Sequence, residues 1–150
     1  MKNAGTSDKS NPRELEGETI VKRAIKAERI VRRACKLIRK RDRKRFPRCI
    51  DVHKNDAFDM KQIDVFLETR GSMGVEIQVK STEGTLRRFY RRKRNRHILA
   101  LNPYHYGEDI TATKLKPILE ELVLYAIAHP FESPYDWYYS KEYHKAEPPV

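Results

Sequence analysis

The spacing of hydrophobic residues changes several times along the chain, and each change marks an element. From about Glu18 to Lys44, Ile20, Ala24, Ala27, Val31, Ala34 and Ile38 recur every three or four residues, which is one stripe along a helix. Pro47 closes that segment, because proline lacks the amide a helix needs. Cys49 to His53 alternates apolar and polar residues, as a strand does when successive side chains face opposite ways. A turn-like stretch, Lys54 to Met60, follows. Alternation then returns twice. Ile63, Val65 and Leu67 alternate with Gln62, Asp64, Phe66 and Glu68, and Val75, Ile77 and Val79 alternate with Glu76, Gln78 and Lys80. The segment Arg70–Gly74 between them reads as a tight turn joining two paired strands.

Ser81 or Thr82 can cap a second helix that starts near Gly84 and carries a thin stripe of Leu86, Phe89 and Tyr90. His97 to Leu101 is a short apolar run bounded by Asn102-Pro103, so it predicts a fourth strand, with a loop over 102–106. Asp109 to Thr113 offers caps for a third helix over Lys114–His129, striped by Leu115, Ile118, Leu119, Leu122, Val123 and Ala126. Pro117 fits only its first turn, and Pro130 ends it. The order is helix, three strands, helix, strand, helix. It predicts an α/β fold in which helices flank a central mixed sheet. Residues 1–12 are small and polar and predict a disordered tail, and 13–130 form a single domain. Residues 131–150 form an aromatic extension that either packs back on the domain or stacks on bases.

Composition narrows the partners. The chain has 150 residues, 39% of them hydrophobic, enough for one modest core. Its net charge is +11, with 35% charged residues, which favours a polyanion: each phosphate neutralised by Lys or Arg releases condensed counterions. The charge is clustered. Arg39, Lys40 and Arg41 open the run RKRDRKR, and Arg87, Arg88, Arg91, Arg92, Lys93, Arg94 and Arg96 form a second block almost free of acids. These ten residues are the candidate nucleic-acid contacts. Cys35 and Cys49 lack the number and spacing of a disulfide framework or zinc site, and the five histidines show no ligand spacing with them. No glycine-rich phosphate loop supports nucleotide hydrolysis of that type. With no apolar leader and no run of membrane-spanning length, a soluble, cytoplasmic protein without a membrane partner is expected.

The row Glu76, Gln78, Lys80 on one strand face, with Asp64 able to project from the same side, is the stretch that carries chemistry. Asp64 followed by Glu76-Ile77-Gln78-Val79-Lys80-Ser81 resembles the PD-(D/E)XK, or restriction-endonuclease-like, nuclease superfamily. That family places an Asp on one strand and a D/E-x-K triplet on the next. This chain departs twice, with Ile63 where the nominal Pro stands and Gln78 where the second acid stands; Gln-x-Lys variants occur in the superfamily. The element order agrees with the family's αβββαβ core. The resemblance implies Asp64, Gln78, Lys80 and Glu76 as catalytic residues, with Mg²⁺ (or Mn²⁺) held by Asp64, Gln78 and Glu76. A first-helix glutamate often joins such a site, and AERIV places Glu28 there. By helical spacing alone, Glu28 borders the apolar stripe and either pairs a neighbouring arginine or turns toward the site.

The cation's chemistry suits those residues. Phosphodiester hydrolysis needs the phosphate neutralised and an attacking water made more acidic. Mg²⁺ takes oxygen ligands and keeps several waters, so one or two carboxylates suffice. Asp64 is the indispensable ligand, the Gln78 amide oxygen a weaker one, and Glu76 a source of the missing charge. Lys80 positions the water or steadies charge on the phosphate. The expected activity is metal-dependent endonucleolytic hydrolysis of DNA, ahead of RNA, in repair, recombination or restriction. The alternative is a non-catalytic nucleic-acid-binding domain of the same fold, and assembly as a homodimer is left open.

Overall fold

A computed structural model describes residues 12–52, 63–71, 74–92, 95 and 97–130. The expected tail, the Lys54–Met60 turn and the aromatic extension lie outside the described residues. Helix α1 runs Pro12–Arg41 and is followed by β1 (Cys49–Asp51), β2 (Val65–Leu67), β3 (Val75–Val79), α2 (Glu83–Tyr90), β4 (Leu99–Leu101) and α3 (Ala112–Ala128). A 3₁₀ turn, Pro103–Tyr106, replaces the loop expected after β4. The four strands lie in the order β1-β2-β3-β4, the first two pairings antiparallel and β3-β4 parallel, so the sheet is mixed.

Period two explains the sheet's faces. Val65, Leu67, Val75, Ile77 and Val79 are buried in the core, whereas Phe66, Glu76 and Gln78 on the opposite face are half-buried. Helices α1 and α3 pack on each other and on the strands, contributing Ala27, Val31, Ala34, Ile38, Leu115, Leu119 and Leu122. Each fully buried Leu or Ile side chain contributes roughly 1.5–3 kcal/mol. Ala100 stands beside Gln78 across the parallel pair and is buried, and α2 packs on β4 there. The Tyr90 hydroxyl ties the two elements: it lies 2.7 Å from the Ile98 carbonyl and accepts from the Ala100 amide at 2.6 Å.

Boundaries moved from those expected, for local reasons. α1 starts at Pro12, six residues early, because proline's fixed φ suits a first turn where its missing amide is not needed. Ile20 is exposed although it belongs to the predicted stripe, as are Val21 and Ile25. Burial begins at Ala27, after Arg23 has met Ser81, Tyr104 and Glu108. α1 stops at Arg41 rather than Lys44, where Asp42 turns its side chain to accept the Arg45 amide. α2 starts behind a Thr82 cap, whose hydroxyl accepts from the Thr85 amide, and ends at Tyr90 instead of running through the arginine block. Asn95 donates to the Phe89 carbonyl at 2.9 Å, taking up an acceptor the helix leaves free. Thr111 caps α3 in the same way, but because the helix starts at Ala112 rather than Lys114, Pro117 lies inside it, past the first turn where it was expected. Among the described residues no helix is long and apolar enough to cross a membrane.

Candidate active site

The site lies at the end of the sheet where β2 begins and β3 stops. Asp64 immediately precedes β2, and its backbone is held from both sides: its amide donates to Ile77 O at 2.8 Å and its carbonyl accepts from the Val52 amide at 2.9 Å. With the backbone fixed, the side chain turns to β3, where Oδ2 accepts the Val79 amide at 2.8 Å. Among the described residues Oδ1 has no hydrogen-bond partner, so one carboxylate oxygen is spoken for and one is available. Val79 lies between Gln78 and Lys80, so this single bond brings the Asp to the Gln-x-Lys segment.

Gln78 carries a second available oxygen. Its Oε1 is buried and has no partner among the described residues, an arrangement that leaves an amide acceptor short of about 1–3 kcal/mol of interaction. Lys80 follows β3 directly; its amide donates to Leu101 O at 2.9 Å, and its ammonium stands 5.0 Å from the Phe89 ring centroid. Burial lowers the Lys80 pKa, Asp64 acts against that, and Arg88 adds to it. Asp64 is raised from 3.8 to about 6, first by burial and further by the like charge of Glu28, while the Val79 hydrogen bond, Arg32 and Lys80 act the other way. Glu28, Arg32, Asp64 and Lys80 therefore share one electrostatic neighbourhood, though they come from three elements.

Glu28 reaches this neighbourhood from α1. It pairs Arg32 one turn on at 3.4 Å, which is the arginine-partner reading, and its charge also acts on Asp64. Arg32 itself donates through Nη2 to Val52 O at 3.2 Å and to Asp64 O at 3.4 Å. Glu76 is placed differently. It shares Gln78's face, but its Oε1 lies 3.5 Å from His97 Nε2, and it is not among the groups that shift Asp64. Of the two glutamates, Glu28 and not Glu76 acts on the Asp64 carboxylate.

A hard divalent cation fits the donors present: Asp64 Oδ1, the orphaned Gln78 Oε1 and the nearby Glu28 are all oxygens. Among the described residues no group of three or more His, Cys, Asp or Glu is placed to hold a metal ion, and the set of Asp64, Gln78 and Glu28 has only two carboxylates. A site rich in water ligands, as Mg²⁺ prefers, suits so sparse a set; a soft metal does not.

The basic segments divide. Arg88 and Arg92 line a cavity of about 230 Å³ with Lys80 and Thr85, next to the centre. Arg87 and Arg91 are exposed but do not line it, and Lys93, Arg94 and Arg96 lie outside the described residues. Lys40 and Arg41 are exposed, and Arg39 is half-buried, donating through Nε to Pro47 O at 3.1 Å. Sequence reasoning passed over Arg32, which steadies the Asp64 backbone; its i,i+4 spacing from Glu28 was the available signal. It also passed over Arg29, Arg33 and Arg43, which line cavities along α1. Compared with protein-family models, curated proteins and solved structures, the chain matches none.

Proposed function

We propose that this protein is a metal-dependent nuclease that hydrolyses phosphodiester bonds of DNA, built as a Gln-x-Lys variant of the restriction-endonuclease-like fold. One observation carries the reading: the Asp64 carboxylate accepts the Val79 amide between Gln78 and Lys80, and among the described residues one oxygen of Asp64 and the Gln78 Oε1 have no partner. A buried, unfilled amide acceptor beside a free carboxylate oxygen and a half-buried lysine is costly to a fold and useful to a cation-assisted reaction. Bound there, Mg²⁺ or Mn²⁺ supplies charge neutralisation at the phosphate and acidifies a water. Asp64 and Gln78 hold the cation from the sheet, and Glu28 adds charge from α1. The Lys80 ammonium, 5.0 Å from the Phe89 ring centroid and in electrostatic reach of Asp64, would hydrogen-bond a phosphate oxygen or orient the water. DNA is favoured over RNA as substrate, and a cytoplasmic setting is proposed with it.

The absence of a three-residue metal cluster among the described residues favours one competing reading, a nucleic-acid-binding domain without catalysis. One assay separates them. Duplex, single-stranded and branched DNA are incubated with wild type and Asp64→Asn, with Mg²⁺ or Mn²⁺. Wild type should cut at least one substrate, and Asp64→Asn should cut none yet bind as well or better, because a negative charge near the phosphates is gone. Retained DNA binding without cleavage by wild type would leave the binding domain.

A further inference from the structure

Charge along α1 is arranged in a line. Arg29, Arg33, Lys36 and Lys40 succeed one another at four, three and four residues, which keeps them on one helix face, and Arg43 continues the line in the turn beyond. This face borders two cavities. One, of about 410 Å³, is lined by Glu28, Arg29, Arg32, Arg33 and Asp51. The other, of about 470 Å³, is lined by Arg39, Lys40, Arg43 and Arg48 with Cys49, and no acid lines it. Lys36 lines both, so they meet. Asp51 is already matched by Lys36 at 2.9 Å and Arg32 at 4.0 Å. Arg29, Arg33, Lys40 and Arg43 pair with no acid among the described residues. Adjacent unpaired cations repel one another, and a polyanion laid along them removes that repulsion.

The same centre borders a second cationic cavity, at α2. Arg32, which lines the first α1 cavity, donates to the Asp64 carbonyl at 3.4 Å, and the Asp64 carboxylate accepts the Val79 amide next to Lys80, which lines the α2 cavity with Arg88 and Arg92. The α1 face and the α2 cavity differ in length. Arg29 to Lys40 spans about 16 Å of helix, or about five nucleotides at the rise of a B-form strand. The α2 cavity, about 230 Å³ with two arginines, is much shorter.

We propose that a nucleic-acid strand crosses the Asp64 centre between two cationic seats of unequal length, a long one along α1 and a short one at α2. The proposal rests on the nuclease reading for what happens at the centre, but the track itself is a binding surface. It makes an asymmetric demand: a cut needs a long stretch of strand on one side of the scissile bond and a short stretch on the other.

Limit digestion of long random-sequence DNA, labelled at the 5′ end in one reaction and the 3′ end in another, reads this directly. The shortest labelled fragments should be about five nucleotides at one end and distinctly shorter at the other. The triple variant Arg29→Gln, Arg33→Gln, Lys40→Gln should shorten the longer limit and leave the shorter one. Equal limits in wild type, or limits the triple variant does not move, overturn the track while leaving the nuclease reading intact. Should wild type cut nothing, the nuclease reading falls and binding decides the track alone. The slope of log affinity for a short duplex against log salt should then fall by about three in the triple variant. An unchanged slope overturns it, and so does loss of binding to phosphatidylserine vesicles without loss of DNA binding, which would assign the face to a membrane surface.

Discussion

Asp64 Oδ2 accepts the backbone amide of Val79 at 2.8 Å, which locks the carboxylate onto the strand that carries Gln78 and Lys80. The bond holds one oxygen in place, while burial makes the charge of the carboxylate costly.

That relationship fixes a pH dependence. Asp64 takes up its proton more readily folded, at about 6, than unfolded, near 3.8. Its neutral form therefore favours the fold below about pH 4, and that contribution is lost as pH rises to about 6. A displacement of about two units corresponds to roughly 3 kcal/mol. Asp64→Asn, which keeps an acceptor for Val79, should melt several degrees above wild type at pH 7.5 without metal and equally at pH 4. Mg²⁺ should raise the melting temperature of wild type and not of the variant. Identical melting curves at pH 7.5 would mean that no buried charge stands there.

Gln78→Glu places a carboxylate where the buried amide oxygen lacks a partner. In chelator the variant should melt below wild type, since a second acid joins Asp64 and Glu28. With Mg²⁺ it should gain more than wild type, bind the cation more tightly and keep some cleavage. Calorimetric titration of both proteins checks this, and indistinguishable metal affinities would remove Gln78 from the ligand set.

Glu28→Gln should keep the fold and DNA binding but weaken apparent metal affinity several-fold, as expected for a ligand outside the sheet pair. The readout is cleavage rate against Mg²⁺ concentration. A curve that coincides with wild type would reduce Glu28 to the partner of Arg32.

The strand pair itself is sensitive at one glycine. Gly74 has φ +120°, and a Cβ there would stand 2.6 Å from Phe66 Cζ and 2.7 Å from Leu67 O. Gly74→Ala should cost about 2 kcal/mol or more and disturb the register that brings Asp64 to Val79. Gly84, inside α2, meets nothing within 4 Å, so Gly84→Ala should stabilise by up to about 1 kcal/mol. Urea denaturation of the two variants gives opposite shifts in midpoint.

Much of the architecture was legible because it follows from local chemistry. The alternation of Val75, Ile77 and Val79 with Glu76 and Gln78 fixes which side chains can be buried, whatever the partner. The helical stripes give the three helices their buried faces, and Thr82 caps where its hydroxyl permits. Helix ends were less legible, because they depend on distant or awkwardly placed acceptors: Asn95 reaching back to Phe89 is a contact no periodicity reports.

What the sequence determined by itself is the element order, the faces of each strand, the basic excess, and the row of acid, amide and lysine opposite Asp64. Only the tertiary structure decided how those groups are shared. The antiparallel register runs Asp64 toward Gln78 so that its side chain reaches the Val79 amide, the packing of α1 brings Glu28 and Arg32 to that corner, and the approach of β4 puts His97 beside Glu76. These pairings join residues far apart in the chain. A short motif specifies which groups are available, but their distances follow from how helices and strands pack, because side-chain charges interact through space and not along the backbone.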